Sequence, residues 1–160
     1  MILNSVEFDR DIELDVITPA LKAENKGDLL AKISKLAADQ CRLDQNSVRE
    51  YLDILLNKDN VSPGGGILIP AMTLKQLHNP ATILVTLQKP VALDTIDAKP
   101  IDIVCLVLSP DHEKPHHLRR LSRISRLLKN KVLVQKIRET TDSETIRALI
   151  HNPDGWMMAA

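Results

Sequence analysis

Two short stretches of the 160-residue chain carry residue types that could do chemistry. The first is Pro63-Gly64-Gly65-Gly66-Ile67-Leu68-Ile69-Pro70, which holds three of the five glycines. Successive glycines open backbone conformations closed to other residues and let the chain approach a ligand closely. Gly64, Gly65 and Gly66 are therefore candidates for an anion-binding loop. No Lys followed by Ser or Thr comes after them, which excludes the nucleotide-binding P-loop. The second stretch is Asp111-His112-Glu113-Lys114-Pro115-His116-His117, which runs into a segment with seven basic residues and no acidic one from Lys114 to Lys131. His112, His116 and His117 beside Asp111 and Glu113 raise the question of a metal. Neighbouring residues on one exposed loop seldom converge on one ion, and no cysteine joins them, so neither metal nor other cofactor is expected. His78 and His151 have no recognisable base or nucleophile partner, and no hydrolase triad is indicated.

Composition limits what this chemistry can serve. With 44% hydrophobic and 26% charged residues the chain suits one domain, placed at 1–152, with a tail at 153–160. Lys plus Arg and Asp plus Glu both number 21, so no field extends over the whole molecule. Phe8, Tyr51 and Trp156 are the only aromatic residues, too few for base stacking, and nucleic acid is not expected as a partner. The local charge from Lys114 to Lys131 instead suits an acidic protein partner, with Arg119, Arg120, Arg123 and Arg126 as its contacts; the same charges would also serve as a plain solvated helix face. Cys41 and Cys105 lie in unrelated apolar segments and read as small buried hydrophobes in a reducing compartment. The N-terminus lacks a signal-peptide pattern, and no window reaches the roughly 20 apolar residues of a membrane span. A cytoplasmic location follows.

The elements that position these residues alternate in texture. Leu29, Leu30, Ile33, Leu36 and Ala37 recur at helical spacing after Asp28, a candidate N-cap. A second helix carries Val48, Tyr51, Leu52, Leu55 and Leu56 inward and ends near Asn57 to Asn60. Beyond the glycines come strand-like runs at 66–69, 82–87 and 101–108, the last two apolar enough to be covered on both faces. An early strand near Leu14 to Leu21 contains Pro19, which suits an edge. Asp97-Ala98-Lys99-Pro100 reads as a turn. From Pro115 a helix places Leu118, Leu121, Ile124 and Leu128 on one face and Arg119, Arg123 and Arg126 on another. Helices around 132–137 and 142–150 follow, the latter with capping residues Thr141 to Glu144. The expected architecture is α/β (α+β), a mixed central sheet flanked by helices on both faces.

Gly64 to Pro70, placed after two helices and followed by a histidine at a helix start, resembles the enzyme IIA domain of the bacterial phosphotransferase system, of the fructose, mannitol and nitrogen-regulatory type. Leu87-Gln88-Lys89-Pro90-Val91, Leu108-Ser109-Pro110, His117-Leu118 and Leu121-Ser122 support the resemblance, which covers roughly Leu14 to Ile150. It implies a phosphoacceptor histidine after Ile-Pro, in a phosphotransferase that carries phosphate on that ring. Ala71 stands there, and a methyl group has no lone pair to attack phosphorus. His117 matches the family's auxiliary histidine, which holds the phosphoryl group, and the helix start beside it favours an anion. Three readings follow: a regulatory protein-binding module unable to carry phosphate, a phosphocarrier whose acceptor was changed to Ala71, or a sensor of a small anion in a pocket between the glycine loop and His117. The implied partner is a phosphocarrier protein, a transporter or a sensor kinase.

Overall fold

The computed structural model describes residues 13–58, 63–93 and 99–151. Its strands are β1 (Val16–Leu21), β2 (Ile67–Leu68), β3 (Ala71–Leu74), β4 (Ala81–Val91) and β5 (Ile101–Pro110). The helices are α1 (Lys26–Cys41), α2 (Gln45–Lys58), α3 (Lys114–Leu127), α4 (Lys131–Glu139) and α5 (Ser143–His151). The turn expected at Asp97 and Ala98, the region after Lys58 and the 153–160 tail lie outside the described residues.

β5 is the organising strand. Its aliphatic run from Ile103 to Leu108 leaves no face for water, so it must be paired and covered on all sides. It pairs antiparallel with β4, and parallel with β2 and then β3 on its other edge. β1 completes the sheet parallel to β4, as the edge strand the proline suggested. The register slips between Thr18 and Leu21, around Pro19 and Ala20, which has φ 53°. Thr86 Oγ1 accepts the Ala20 N–H that the ladder leaves unpaired.

β2 and β3 form one interrupted edge strand, and β3 is an element the residue pattern did not reveal. Pro70 breaks the run because it has no N–H to give, yet its carbonyl still accepts from Val107 N at 2.9 Å. The chain thereby regains pairing at Ala71. Alternation holds through the break: Ile67, Ile69 and Ala71 pack with the α3–α5 layer, while Leu68, Met72 and Leu74 pack with α1 and α2. The sheet is thus covered on both faces, as expected.

Capping chemistry sets the helix starts. Asn25, not Asp28, caps α1, its side chain accepting from Asp28 N at 2.8 Å. Asp28 sits three residues in and accepts back from Glu24 N at 3.0 Å, which lowers its carboxyl pKa. Asp44, Asn130 and Asp142 cap the starts of α2, α4 and α5 in the same way, each accepting from a backbone N–H three residues on. Two expected core positions face solvent. Tyr51 is 45% exposed on α2, and Leu118 is 64% exposed on α3, where His117, Ile124 and Leu128 form the buried stripe instead. Leu121, Ile124 and Leu128 pack inward as the spacing predicts, and His117 takes the place expected of Leu118.

Gly64, Gly65 and Gly66 all have positive φ, at 96°, 70° and 84°. A Cβ on Gly65 would meet nothing within 4 Å, whereas one on Gly66 would come within 3.0 Å of Arg138 and Asp102 and 3.1 Å of the Pro100 carbonyl. Gly66→Ala is expected to destabilise the protein by about 2–3 kcal/mol, and Gly65→Ala, which meets only the backbone penalty, by about 1 kcal/mol. Urea unfolding midpoints of the two variants measure the difference.

Candidate functional site

The last residues of β5 convert a hydrophobic strand into a polar site. Ser109 is the first hydroxyl after six consecutive apolar residues, and it is fully buried. Its register partner is Thr73, and Ala71 lies opposite Val107 one strand repeat earlier, so Ala71, Thr73 and Ser109 share the face covered by α3.

Two side chains of α3 close on Ser109 Oγ: His117 Nδ1 at 2.7 Å and Arg120 Nη2 at 2.6 Å. A guanidinium can only donate, so it takes one lone pair of the hydroxyl. If the imidazole also donated, the buried Ser109 proton would be left without the acceptor these two groups can offer. The assignment that satisfies the triad has Ser109 O–H donating to Nδ1 and the ring proton on Nε2. Burial lowers the His117 pKa below its ordinary value, and the Arg120 charge lowers it further. The ring is therefore held neutral. Burial also lowers the Arg120 pKa, opposed by Glu113 and Asp15, but a guanidinium remains charged.

Carboxylates surround this cluster. Thr73 Oγ1 donates to Asp111 Oδ1 at 3.2 Å, which sets an acidic group beside the strand two residues beyond Ala71. Glu113 precedes α3, where negative charge suits the helix dipole. On the other flank of α3 a cavity of about 390 Å³ is lined by Arg119, Arg120, Arg123 and His116 together with Glu13, Asp15 and Glu113. Its charges largely offset one another.

The expected site residues do not all meet. The glycine loop enters β2 opposite Ile103, six residues along β5 from Ser109, a separation of roughly 20 Å. Strand length keeps the loop and His117 apart. The loop is instead fastened by Arg138, which donates to the Gly65 carbonyl and forms a two-point ion pair with Asp102 at 2.8 and 2.9 Å. The four arginines also divide. Arg123 is 7% exposed and Arg120 is spent on Ser109, so neither is presented to a partner, whereas Arg119 and Arg126 face solvent. Helix phase is the reason, since the face that buries His117 carries residues 120 and 123 inward beside it.

His112 and His116 are exposed while His117 is turned onto Ser109, and among the described residues no group of three His, Cys, Asp or Glu side chains is placed to hold a metal ion. Among those residues, too, no helix is long and apolar enough to cross a membrane. Burial pushes the Cys41 thiol up to about 11 and the Cys105 thiol to about 12, so both stay protonated and unreactive near neutrality. Ser109 and Arg138 were not singled out from residue types, and Asp111 only as a neighbour of the histidines. A serine and a proline closing an otherwise aliphatic strand were the available signal for the first.

Comparison with known proteins places these features in context. The family described as "Phosphoenolpyruvate-dependent sugar phosphotransferase system, EIIA 2" matches residues 12–152. A nitrogen regulatory protein of Bradyrhizobium diazoefficiens is 30% identical over 142 residues, covering 87% of this chain and 91% of the relative. The crystal structure of nitrogen regulatory protein IIA-Ntr from Neisseria meningitidis superposes with a TM-score of 0.78 at 20% identity, covering 84% of this chain and 92% of that one. The Escherichia coli mannitol enzyme IIA, solved in complex with phosphorylated mannitol enzyme IIB, has a TM-score of 0.70 at 14% identity, covering 84% and 92%.

The neutral His117 makes stability depend on pH with a definite sign. Its folded pKa lies below the unfolded value, so the unfolded chain binds more protons in the window beneath about pH 6.5. The stabilisation is full above that value and is lost as pH falls toward the folded pKa. His117→Asn, which keeps an acceptor for the Ser109 hydroxyl, is expected to remove this part of the dependence. Urea unfolding of both proteins between about pH 5 and 7.5 measures it.

Proposed function

The chain belongs to the EIIA 2 family of the phosphoenolpyruvate-dependent sugar phosphotransferase system, and from that membership we propose that it acts as a cytoplasmic regulatory, protein-binding member that carries no phosphoryl group on the family's usual histidine. The similarity to nitrogen regulatory proteins supports the regulatory reading. What carries the rest is Ala71 after Ile69-Pro70, where the resemblance expects the acceptor, with its side chain packed toward the α3 layer.

Phosphoryl transfer to a protein needs a lone pair aimed in line at phosphorus. Ala71 has none, and its neighbours do not replace it. His117 stands at the auxiliary position with Nδ1 engaged by Ser109 and its proton on Nε2, so neither nitrogen offers a free lone pair. Asp111, held by Thr73, adds negative charge where an incoming phosphoryl dianion would approach. The site is built for hydrogen bonding between α3 and the end of β5.

What the domain retains is a surface. Leu118 projects from α3 with Arg119 beside it and Arg126 two turns along. An exposed leucine among arginines suits a partner with an apolar contact rimmed by acidic groups, such as a phosphocarrier protein, a transporter or a sensor kinase. Docking of an enzyme IIB onto the mannitol enzyme IIA shows that this fold supports protein partners.

Incubation with phosphoenolpyruvate and the upstream phosphotransferase proteins tests the reading. The expected result is no acid-labile histidine phosphate on this chain while a histidine-bearing family member in the same tube is labelled. Stoichiometric labelling would overturn it.

A further inference from the structure

Among the described residues the large apolar side chains left exposed are Tyr51 and Ile54 on α2, Leu118 on α3 and Val132 on α4. Scattered singly such residues are ordinary, but those on α2 and α3 sit in faces of opposite charge. On α2, Tyr51 and Ile54 are three residues apart and adjoin on the helix surface, with exposed Glu50 and Asp53 beside them. Neither carboxylate is held in an ion pair among the described residues. Arg49, the basic residue next to Glu50, turns toward the start of α1, where a Cβ on Gly27 would lie 3.7 Å from its Nη2.

On α3, Lys114, Leu118, Ser122 and Arg126 are all exposed and recur every four residues, which makes them one ridge. The small Ser122 leaves a notch beside Leu118. No acidic residue occurs in this helix, and neither Lys114 nor Arg126 enters an ion pair among the described residues. α2 and α3 are matched in length at 14 residues each, or about 21 Å. They cover opposite faces of the sheet, so within one chain the two surfaces cannot meet. Between two chains they can. A two-fold contact through α2 would set Glu50 and Asp53 against their own copies, and one through α3 would do the same to Lys114 and Arg126. Contact of α2 with α3 instead brings unlike charges together around an apolar centre.

We propose that the α3 face of one copy of this chain docks on the α2 face of a second copy, with Leu118 against Tyr51 and Ile54. Lys114 and Arg126 then face Glu50 and Asp53. Each docked chain keeps one face of the opposite kind free, so the contact is head-to-tail and extends beyond two copies. A copy seated on α3 occupies the surface assigned above to an outside partner, and self-association and partner binding therefore exclude each other. The inference rests on the reading of α3 as a docking face and is independent of Ala71.

Sedimentation velocity of the full chain from about 10 μM to 1 mM, the range in which a small contact dissociates, tests it. The expected result is a sedimentation coefficient that rises with concentration and returns to the monomer value in about 0.5 M salt. Ile54→Ser and Leu118→Ser, both at exposed positions, should each weaken association at least about tenfold. An equimolar mixture of the two variants should form a dimer and nothing larger, because each supplies one intact face. The proposal is overturned if the wild-type chain stays monomeric, if association survives the salt, if only one substitution matters, or if the mixture does not dimerise. A monomeric chain would leave the absence of histidine labelling untouched, and labelling would leave the self-association untouched, so the two readings fail separately.

Discussion

The burial of β5 on both faces is the constraint on which the rest of the structure depends. A strand that apolar must be paired on both edges and covered above and below. β4 takes one edge, and the broken strand β2–β3 takes the other. α1 and α2 cover one face, and α3 to α5 the other. Where the strand leaves the core it carries one hydroxyl, Ser109, and α3 is fastened to it through His117 and Arg120. The candidate site is therefore the polar end of the central strand. Its geometry is inherited from the sheet register and not from a flexible loop.

That origin explains why the position of Ala71 matters. Parallel pairing with β5 fixes which residues of the edge strand face α3, and Ala71, Thr73 and Ser109 fall on that face together. A histidine at 71 would stand close to the α3 histidine. With alanine there, Ser109 serves His117 and Arg120, and Thr73 serves Asp111, while the buried Arg120 Nε has no hydrogen-bond partner. The bonds to Ser109 hold α3 against the end of the sheet.

Much of the fold was legible because its signals are local and strong. The unbroken aliphatic run of β5 announced a doubly covered strand, Pro19 announced an edge, and the Leu29 to Ala37 spacing announced α1. β3 was hidden because four residues after a proline carry no periodicity that distinguishes them from a loop; only the hydrogen-bonding edge of β5 makes them a strand. Only the first turn of α3 was misjudged, because Leu118 is its most hydrophobic residue, while the buried place goes to His117, whose partner Ser109 lies across the fold. Arg123, beside the buried Ile124, is drawn inward with it. The glycine loop and His117 looked like two sides of one pocket because distance along β5 does not show in residue order. The Arg138–Asp102 clamp, 36 residues apart, is invisible to spacing for the same reason.

The central claim is that neither Ala71 nor His117 offers a ring nitrogen lone pair to phosphorus in the resting protein. Long-range ¹H–¹⁵N correlation of the His117 imidazole near neutral pH tests this most directly, because the two ring nitrogens report their protonation separately. The account predicts a neutral ring with the proton on Nε2 and Nδ1 accepting from Ser109. A proton on Nδ1 with Nε2 bare, or a doubly protonated ring, would contradict it.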